Sequence, residues 1–219
     1  MSPSIFISRN LENNSVLLNG LTKAGWLVAS KSLVTITPIP FDLSTFEFDW
    51  LFISSSNGAK LVLENYVAHK PMKIGAVGEA TAKTITTLGF EPQFIGQSGN
   101  MNEVGKQLAK VVGKERVLFA GAKNGSKKTQ AFLNKSQVLF VPVYETAPLS
   151  KIVIPETDWV FLTSPSNAEA YLTVSSLKGK KVAAIGHTTA EFLAKHGCNH
   201  TLIPKSPKET DVLELLLSK

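Results

Sequence analysis

The stretch DWLFISSSNGAKLVL, residues Asp49–Leu63, returns later in the chain as DWVFLTSPSNAEAYL, residues Asp158–Leu172. Each copy has an acid, a Trp and three apolar residues, then a cluster of hydroxyl and amide side chains. Short continuous apolar runs between stretches of helical spacing are typical of parallel strands that are buried on both faces. Each copy therefore predicts a buried strand followed by a helix, and the predicted fold class is α/β.

The repeat extends beyond these two stretches. IGAVGEATAKTITTLGFEPQFI (Ile74–Ile95) aligns without gaps on VAAIGHTTAEFLAKHGCNHTLI (Val182–Ile203), with Gly78 opposite Gly186. The segments before each of the opening stretches also pair, more weakly. The chain therefore reads as four units in the order A-B-A′-B′, which indicates a duplication.

Two extended segments that contain proline occupy equivalent places in the two halves, at residues 35–44 and 143–155. They predict the points where the chain crosses between two lobes, each a parallel sheet flanked by helices. Pairing B with A′ makes residues 40–143 one lobe and leaves residues 1–36 and 150–219 for the other. The pattern alone leaves open the second arrangement, in which A pairs with B and A′ with B′.

Charge and hydropathy limit the classes of partner. The net charge is +6, and all 23 basic residues except Arg9 and Arg116 are lysines, a balance that favours an anionic partner without naming one. No basic helix and no interleaving of basic and aromatic residues is present, so a nucleic-acid partner is not expected. No run approaches the ~18 apolar residues that a membrane helix needs, so a membrane partner is not expected either.

Cys198 is the only cysteine, so no intrachain disulfide can form and a reducing compartment is expected. The first residues lack the basic start and apolar run of a secretory signal, and we expect a cytoplasmic protein. The histidines show no metal-ligand spacing, and the common nucleotide and hydrolase motifs are missing. The sequence thus predicts neither a metal nor a cofactor. Nothing in it requires a large exposed apolar face, so a monomer is expected.

Polar residues follow the predicted strands at the edge where open α/β sheets bind ligands. Helix starts at that edge expose N–H groups and a positive dipole end, which suit carboxylates or phosphates. Ser, Thr and Asn are also the usual helix caps, so a purely structural role is the alternative at each position. The ligand expected from four such helix starts carries several negative groups. The predicted site residues are Ser54, Ser55, Asn57, Gly78 and Thr81 in the first copy and Thr163, Ser164, Ser166, Gly186 and Thr188 in the second.

These features, together with FISRN near the start, VYETAP and IGHTTAEFL, resemble the uroporphyrinogen-III synthase family over nearly the whole chain. The resemblance implies two discontinuous α/β lobes joined by a two-stranded connector. It also implies a cofactor-independent hydro-lyase whose substrate is hydroxymethylbilane, a linear tetrapyrrole with several carboxylates. Such an enzyme removes the terminal hydroxyl, inverts the last pyrrole ring and closes the macrocycle to uroporphyrinogen III.

By position, the resemblance assigns Tyr144 in VYET to catalysis and Arg9 to substrate binding after the first strand. The family often has Arg-Gly followed by Gly-Arg, whereas this chain has Ala120-Gly121 and then Gly125-Ser126-Lys127. Lys127 is the predicted replacement, with Lys123 as the alternative, and neither can form a bidentate guanidinium contact. The competing hypothesis is a non-catalytic two-lobed protein that binds an anionic metabolite.

Overall fold

The computed structural model describes residues 2–64 and 72–219. The strands within these residues are β1 (Ser4–Ile7), β2 (Leu27–Ser30), β3 (Val34–Pro38), β4 (Trp50–Ile53), β5 (Lys73–Ala76), β6 (Phe94–Ile95), β7 (Val117–Ala122), β8 (Val138–Pro148), β9 (Trp159–Leu162), β10 (Lys181–Ala184) and β11 (Thr201–Leu202). The helices are α1 (Val16–Lys23), α2 (Ser56–Leu63), α3 (Glu79–Thr87), α4 (Met101–Val112), α5 (Pro165–Leu172), α6 (His187–Lys195) and α7 (Glu209–Leu217).

The chain divides into two compact units. Unit 1 contains the residues up to Thr35 together with those from Ala147 onward, and unit 2 runs from Ile36 to Thr146. Both divisions fall inside strands, β3 and β8, which are neighbours in one sheet. The predicted fold class, two lobes with parallel sheets flanked by helices and a two-stranded connector, is confirmed.

Unit 1 is built on a five-stranded sheet in the order β11-β10-β9-β1-β2, with parallel pairing throughout. One face buries Phe6 and Val160 together with residues of α5 and α6. The opposite face buries Ile5 and Ile7 together with residues of α1 and α7. Because both faces are covered, the strands of this sheet can be apolar at consecutive positions, as the sequence predicts.

Unit 2 contains a six-stranded sheet in the order β3-β8-β7-β4-β5-β6. Its inner strands pair in parallel, with β4 between β5 and β7. Leu51 and Ile53 face a core shared with α2 and α3. Phe52 and Phe119 face the α4 side, with ring centroids 5.1 Å apart. Alternate side chains of β4 therefore pack into two separate cores, one on each face of the sheet.

The order of strands reverses once in each sheet. In unit 1 the reversal lies between β1 and β9, and in unit 2 it lies between β4 and β7. Ligands of open α/β sheets bind outside the carboxyl ends of the strands at this reversal. The residues that follow those four strands are therefore the first place to look for a site.

Strand β8 carries one extra residue against β7. Gly121 pairs with Pro142 and Ala122 with Tyr144, so the pairing skips Val143. Val143 and Tyr144 are both buried in the core that α2 covers, although consecutive residues of a regular strand face opposite sides. A β-bulge re-aims the side chains that follow it. This bulge turns Tyr144 towards the α2 side of the sheet.

Gly105 provides a test of the packing of α4. An added Cβ there would lie 2.5 Å from Phe132 Cδ2 and 2.8 Å from the Thr129 carbonyl oxygen. We expect Gly105→Ala to lower the free energy of unfolding by about 1–3 kcal/mol, because overpacking outweighs the better helix propensity of alanine. Gly99→Ala is the control, since its Cβ would meet nothing within 4 Å. Urea denaturation measures both, and equal stability of the two variants would contradict this packing.

Candidate functional site

At the strand reversal of unit 1, Ser8 and Thr163 bind each other. The Thr163 backbone N–H donates to Ser8 Oγ at 2.9 Å, and the Thr163 hydroxyl donates to the Ser8 carbonyl oxygen at 2.9 Å. Ser8 is fully buried, and its own N–H donates to the Phe161 carbonyl oxygen at 3.0 Å. These bonds join the ends of β1 and β9. The Thr163 hydroxyl, which the sequence predicts as a ligand group, is therefore engaged within the protein.

The predicted helix cap at Ser164 is present. Ser164 Oγ accepts hydrogen bonds from both the backbone N–H and the side-chain amide of Asn167, each at 3.1 Å. The Asn167 carbonyl oxygen Oδ1 in turn accepts from the Leu33 N–H at 2.7 Å. Pro165 occupies the first turn of α5, where its missing N–H leaves no hydrogen bond unmade. In this copy, the hydroxyl of Ser164 works as a cap.

Arg9 is held by Glu209 at the start of α7. Arg9 Nη2 donates to Glu209 Oε1 at 2.8 Å, while Glu209 Oε2 accepts from Ser15 Oγ at 2.8 Å and from the Leu17 N–H at 3.0 Å. Glu209 thus links Arg9 to the start of α1. No local feature of the sequence marks this acid as the partner of a residue at the other end of the chain, and the sequence prediction missed it.

Burial shifts the pKa values of Arg9 and Glu209 in opposite directions. Burial lowers the pKa of Arg9, and the neighbouring Glu209 carboxylate offsets part of that effect. Burial alone would raise the pKa of Glu209, but the bonds from Leu17 and Ser15 and the charge of Arg9 together hold that pKa below its usual value. Among the described residues, the buried Nε of Arg9 has no hydrogen-bond partner. Because this nitrogen is buried, an outside acceptor can reach only the exposed part of the Arg9 side chain, which is 28% exposed.

At the strand reversal of unit 2, Ser54 is exposed and lies against the end of β7. Its hydroxyl donates to the Ala120 carbonyl oxygen at 3.4 Å. A Cβ added at Gly121 would lie 2.5 Å from Ser54 Oγ, so a larger residue at position 121 would require the exposed Ser54 hydroxyl to shift.

Ser55 joins the start of α2 to Tyr144. Its hydroxyl oxygen accepts from the Gly58 N–H at 3.0 Å and lies 2.9 Å from the Tyr144 hydroxyl oxygen. Tyr144 is only 7% exposed, whereas Asn57 is exposed on the first turn of the helix. The residue predicted as catalytic and one predicted to bind substrate are therefore hydrogen-bonded neighbours.

A pocket of about 170 Å³ opens beside Tyr144 in unit 2. Its walls are mostly apolar and aromatic, and the residues that line it include Ser54, Gly121, Ser126, Phe119, Phe140 and Tyr144. The exposed ammonium of Lys127 lies 5.3 Å from the centroid of the Phe140 ring, while Lys123 pairs with Glu145 at 3.3 Å. Of these two lysines, Lys127 is the one placed against a pocket wall.

The helices that begin at Gly78 and Gly186 have no side-chain cap within the part of the chain that the structure describes. Their first-turn N–H groups can therefore meet an outside acceptor. Glu79 places a carboxylate in the first turn of α3, whereas His187 begins α6. Because an acid at a helix start competes with an anionic ligand, α6 is the better candidate of the two for binding an anion.

The predicted site residues are divided between the two units. Thr81 is 4% exposed, so its hydroxyl is not at the surface, while Thr188, Ser166 and Gly186 are half-buried. Unit 1 contains Arg9, Thr163, Ser164, Ser166, Gly186 and Thr188, and unit 2 contains Tyr144, Ser54, Ser55, Asn57, Gly78, Thr81 and Lys127.

Solved structures resemble this fold over the whole chain. A uroporphyrinogen-III synthetase from Helicobacter pylori superposes with a TM-score of 0.67 at 22% identity, over 100% of this chain and 99% of that one. A mutant uroporphyrinogen III synthase from the extremely thermophilic bacterium Thermus thermophilus gives 0.60 at 14% identity, over 100% of both chains. These similarities define the class of protein by its fold, two α/β units in one chain.

Residues 15–214 match the sequence profile of the family described as uroporphyrinogen-III synthase HemD. The chain belongs to this family. It is also 24% identical to the porphyrin biosynthesis protein HemD of Ruminiclostridium josui, over 97% of this chain and 48% of that protein. The chain thus spans about half the length of that relative. Among the described residues, no helix is both long enough and apolar enough to cross a membrane.

The contact between Arg9 and Glu209 predicts a pH dependence of stability. The pKa of Glu209 is lowered in the folded protein, so its carboxylate stabilises the fold above the ordinary pKa of glutamate, and that stabilisation is lost as the pH falls through the lowered value. We expect Glu209→Gln to reduce the free energy of unfolding by about 1 kcal/mol at pH 7, a value discounted for partial exposure. The difference from wild type should shrink below about pH 4.

Urea denaturation across that pH range measures this difference. Glu214→Gln is the matched control on the same helix, because Glu214 is 65% exposed and pairs with Lys205 at 3.2 Å. We expect it to change stability by less than about 0.5 kcal/mol at every pH. If the loss of unfolding free energy caused by Glu209→Gln does not change with pH, the carboxylate charge of Glu209 plays no part in stability.

Proposed function

We propose that this chain converts hydroxymethylbilane to uroporphyrinogen III with release of water. The proposal rests on family membership, and one structural observation supports it most. Tyr144 lines a pocket at the carboxyl edge of the unit 2 sheet, next to the start of α2. The phenol that we propose as proton donor is hydrogen-bonded to Ser55 at the start of α2, and the proposed reaction uses no metal or cofactor.

The proposed reaction begins at the terminal hydroxymethyl carbon. The pyrrole nitrogen supplies electrons, the C–O bond breaks, and the hydroxyl leaves as water after it takes up a proton. The substituted α-carbon of the last ring then bonds to this carbon and forms a spiro intermediate. The bond from that α-carbon to the methylene bridge of the neighbouring ring then breaks, and the same methylene carbon bonds to the other α-carbon of the last ring. Loss of a proton from this second α-carbon restores the pyrrole. We assign the first proton to the Tyr144 phenol, whose O–H can donate a hydrogen bond.

We propose that uncharged donors bind most of the substrate carboxylates. Among the residues that the structure describes, no side chain caps the first-turn N–H groups after Gly186 and Gly78, and a helix start favours an anion. The backbone N–H of buried Thr81, rather than its hydroxyl, would then face the substrate. Lys127 is exposed beside the pocket and adds one positive charge in unit 2.

Arg9 is the proposed charged contact of unit 1. Glu209 occupies one nitrogen of its guanidinium at 2.8 Å, and the solvent-exposed part of the guanidinium is what we propose to meet a carboxylate. The ion pair with Glu209 also fixes the orientation of the side chain before substrate binds. The cytoplasmic location and the monomeric state stay predictions of the sequence.

The direct test of the function is incubation with hydroxymethylbilane, oxidation of the products and separation of the porphyrin isomers. We expect isomer III to dominate at a rate above that of spontaneous cyclisation. Formation of isomer I alone, at the spontaneous rate, would reject the proposed activity. Binding of hydroxymethylbilane without acceleration would instead support the non-catalytic anion binder.

Replacement of Arg9 tests its contact with the substrate. We expect Arg9→Ala to raise KM for hydroxymethylbilane by about tenfold or more, because a charge-assisted hydrogen bond contributes roughly 1.5–3 kcal/mol. Lys219→Ala removes a remote positive charge and should change KM by less than about threefold. Equal effects of the two substitutions on KM would place Arg9 outside the site.

Tyr144→Phe tests the proton donor and keeps the aromatic ring. General-acid catalysis typically accelerates a reaction ~10²–10⁴-fold. We expect the contribution of Tyr144 to the rate to lie at the lower end of this range or below it, because the pyrrole nitrogen already drives out the hydroxyl. Turnover should slow while isomer III remains the main product, since positioning of the last ring does not depend on the phenol. A wild-type rate in this variant would mean that Tyr144 has only a packing role. Complete loss of activity in a folded variant would mean that proton donation dominates.

A further inference from the structure

The hydroxyl of Ser55 has two partners, and their arrangement bears on the direction of the Tyr144 proton. Ser55 Oγ accepts from the Gly58 N–H at 3.0 Å, which is its role as the cap of α2. The same oxygen lies 2.9 Å from the Tyr144 hydroxyl oxygen. A serine hydroxyl offers one donor and two acceptor positions, so its own proton is still available for Tyr144.

The duplicated copy in unit 1 has the same cap without the tyrosine. Ser164 caps α5 as Ser55 caps α2, but its oxygen accepts from both the backbone and the side chain of Asn167, each at 3.1 Å. Asn167 takes the place of Gly58 in the repeat, 109 residues further along the chain. The capping function is therefore complete in this fold without any contact to a phenol.

Two local features free Ser55 for a second partner. A Cβ at Gly58 would lie only 3.2 Å from Ser55 Oγ, so glycine keeps that oxygen clear of a side chain. The bulge at Val143 turns Tyr144 into the core covered by α2, where its hydroxyl reaches Ser55. Neither feature is needed to cap a helix, and together they create the contact.

We propose that Ser55 is a positioning residue that directs the Tyr144 proton towards the substrate. The Gly58 N–H fills one acceptor position of Ser55, and the Ser55 O–H donates to the phenol oxygen. The phenol O–H then points away from Ser55 and is left for the departing hydroxyl. The inference rests on the proposed function, since it assigns Ser55 a role in the same dehydration step.

Ser55→Gly is the informative substitution, because glycine at a helix cap costs only a few tenths of a kcal/mol relative to serine and removes the hydroxyl. We expect turnover of hydroxymethylbilane to fall about threefold to tenfold, the contribution of one hydrogen bond, with KM unchanged. Ser55→Thr retains a hydroxyl and should restore most of the rate. Asn100→Gly removes the cap of α4, which accepts from the Asn102 N–H at 2.9 Å, and should leave turnover unchanged.

A double-mutant cycle shows whether Ser55 acts through the phenol. In a Tyr144→Phe background, Ser55→Gly should cause no further loss of rate, because the group that it orients is already absent. Additive losses in the double variant would overturn the proposal, and so would an equal effect of Ser55→Gly and Asn100→Gly. These outcomes are distinct from failure of the proposed function, in which wild type itself would form isomer I at the spontaneous rate.

Discussion

Each sheet is covered by helices on both faces, and this constraint decides where polar chemistry can lie in the chain. All residues of β4 and β9, Trp50–Ile53 and Trp159–Leu162, are buried. A buried polar group without a partner is costly, so hydroxyl side chains become tolerable only where the strand ends. Ser54 and Thr163 are the first residues beyond those strands, and the polar residues of both copies therefore collect at the same edge of each sheet.

At that edge the protein uses many of its own hydroxyls to complete the fold. Ser8 and Thr163 join two strand ends, and Ser164 caps α5. Among the described residues, no side chain caps the start of α6 after Gly186, so backbone N–H groups there are available as donors. Such donors are fixed in direction and carry no counter-charge of their own, which suits a ligand with several carboxylates.

The sequence was sufficient to predict the fold class and the strand ends, and it offered Ser164 as one of several possible caps, because these depend on local periodicity and on residue types at helix starts. It could not predict Glu209, whose partner Arg9 is 200 residues away and is reached only through the packing of α7 on α1. The bulge at Val143 also escaped prediction. It depends on the register between β7 and β8, which the order of residue types along one strand does not specify.

The two copies show how one scaffold supports different chemistry at equivalent positions. β1 pairs with β9 in unit 1 in the same register in which β7 pairs with β4 in unit 2. Arg9 of unit 1 and Gly121 of unit 2 therefore occupy equivalent positions in the duplication. In unit 1 this position holds a cation fixed by Glu209, while in unit 2 it holds glycine, and an added Cβ would lie 2.5 Å from Ser54 Oγ. A side chain at this position of unit 2 would therefore require the exposed Ser54 hydroxyl to turn aside. On the loop that follows in unit 2, Lys127 lies 5.3 Å from the Phe140 ring, so the two units carry unlike groups beyond like strands.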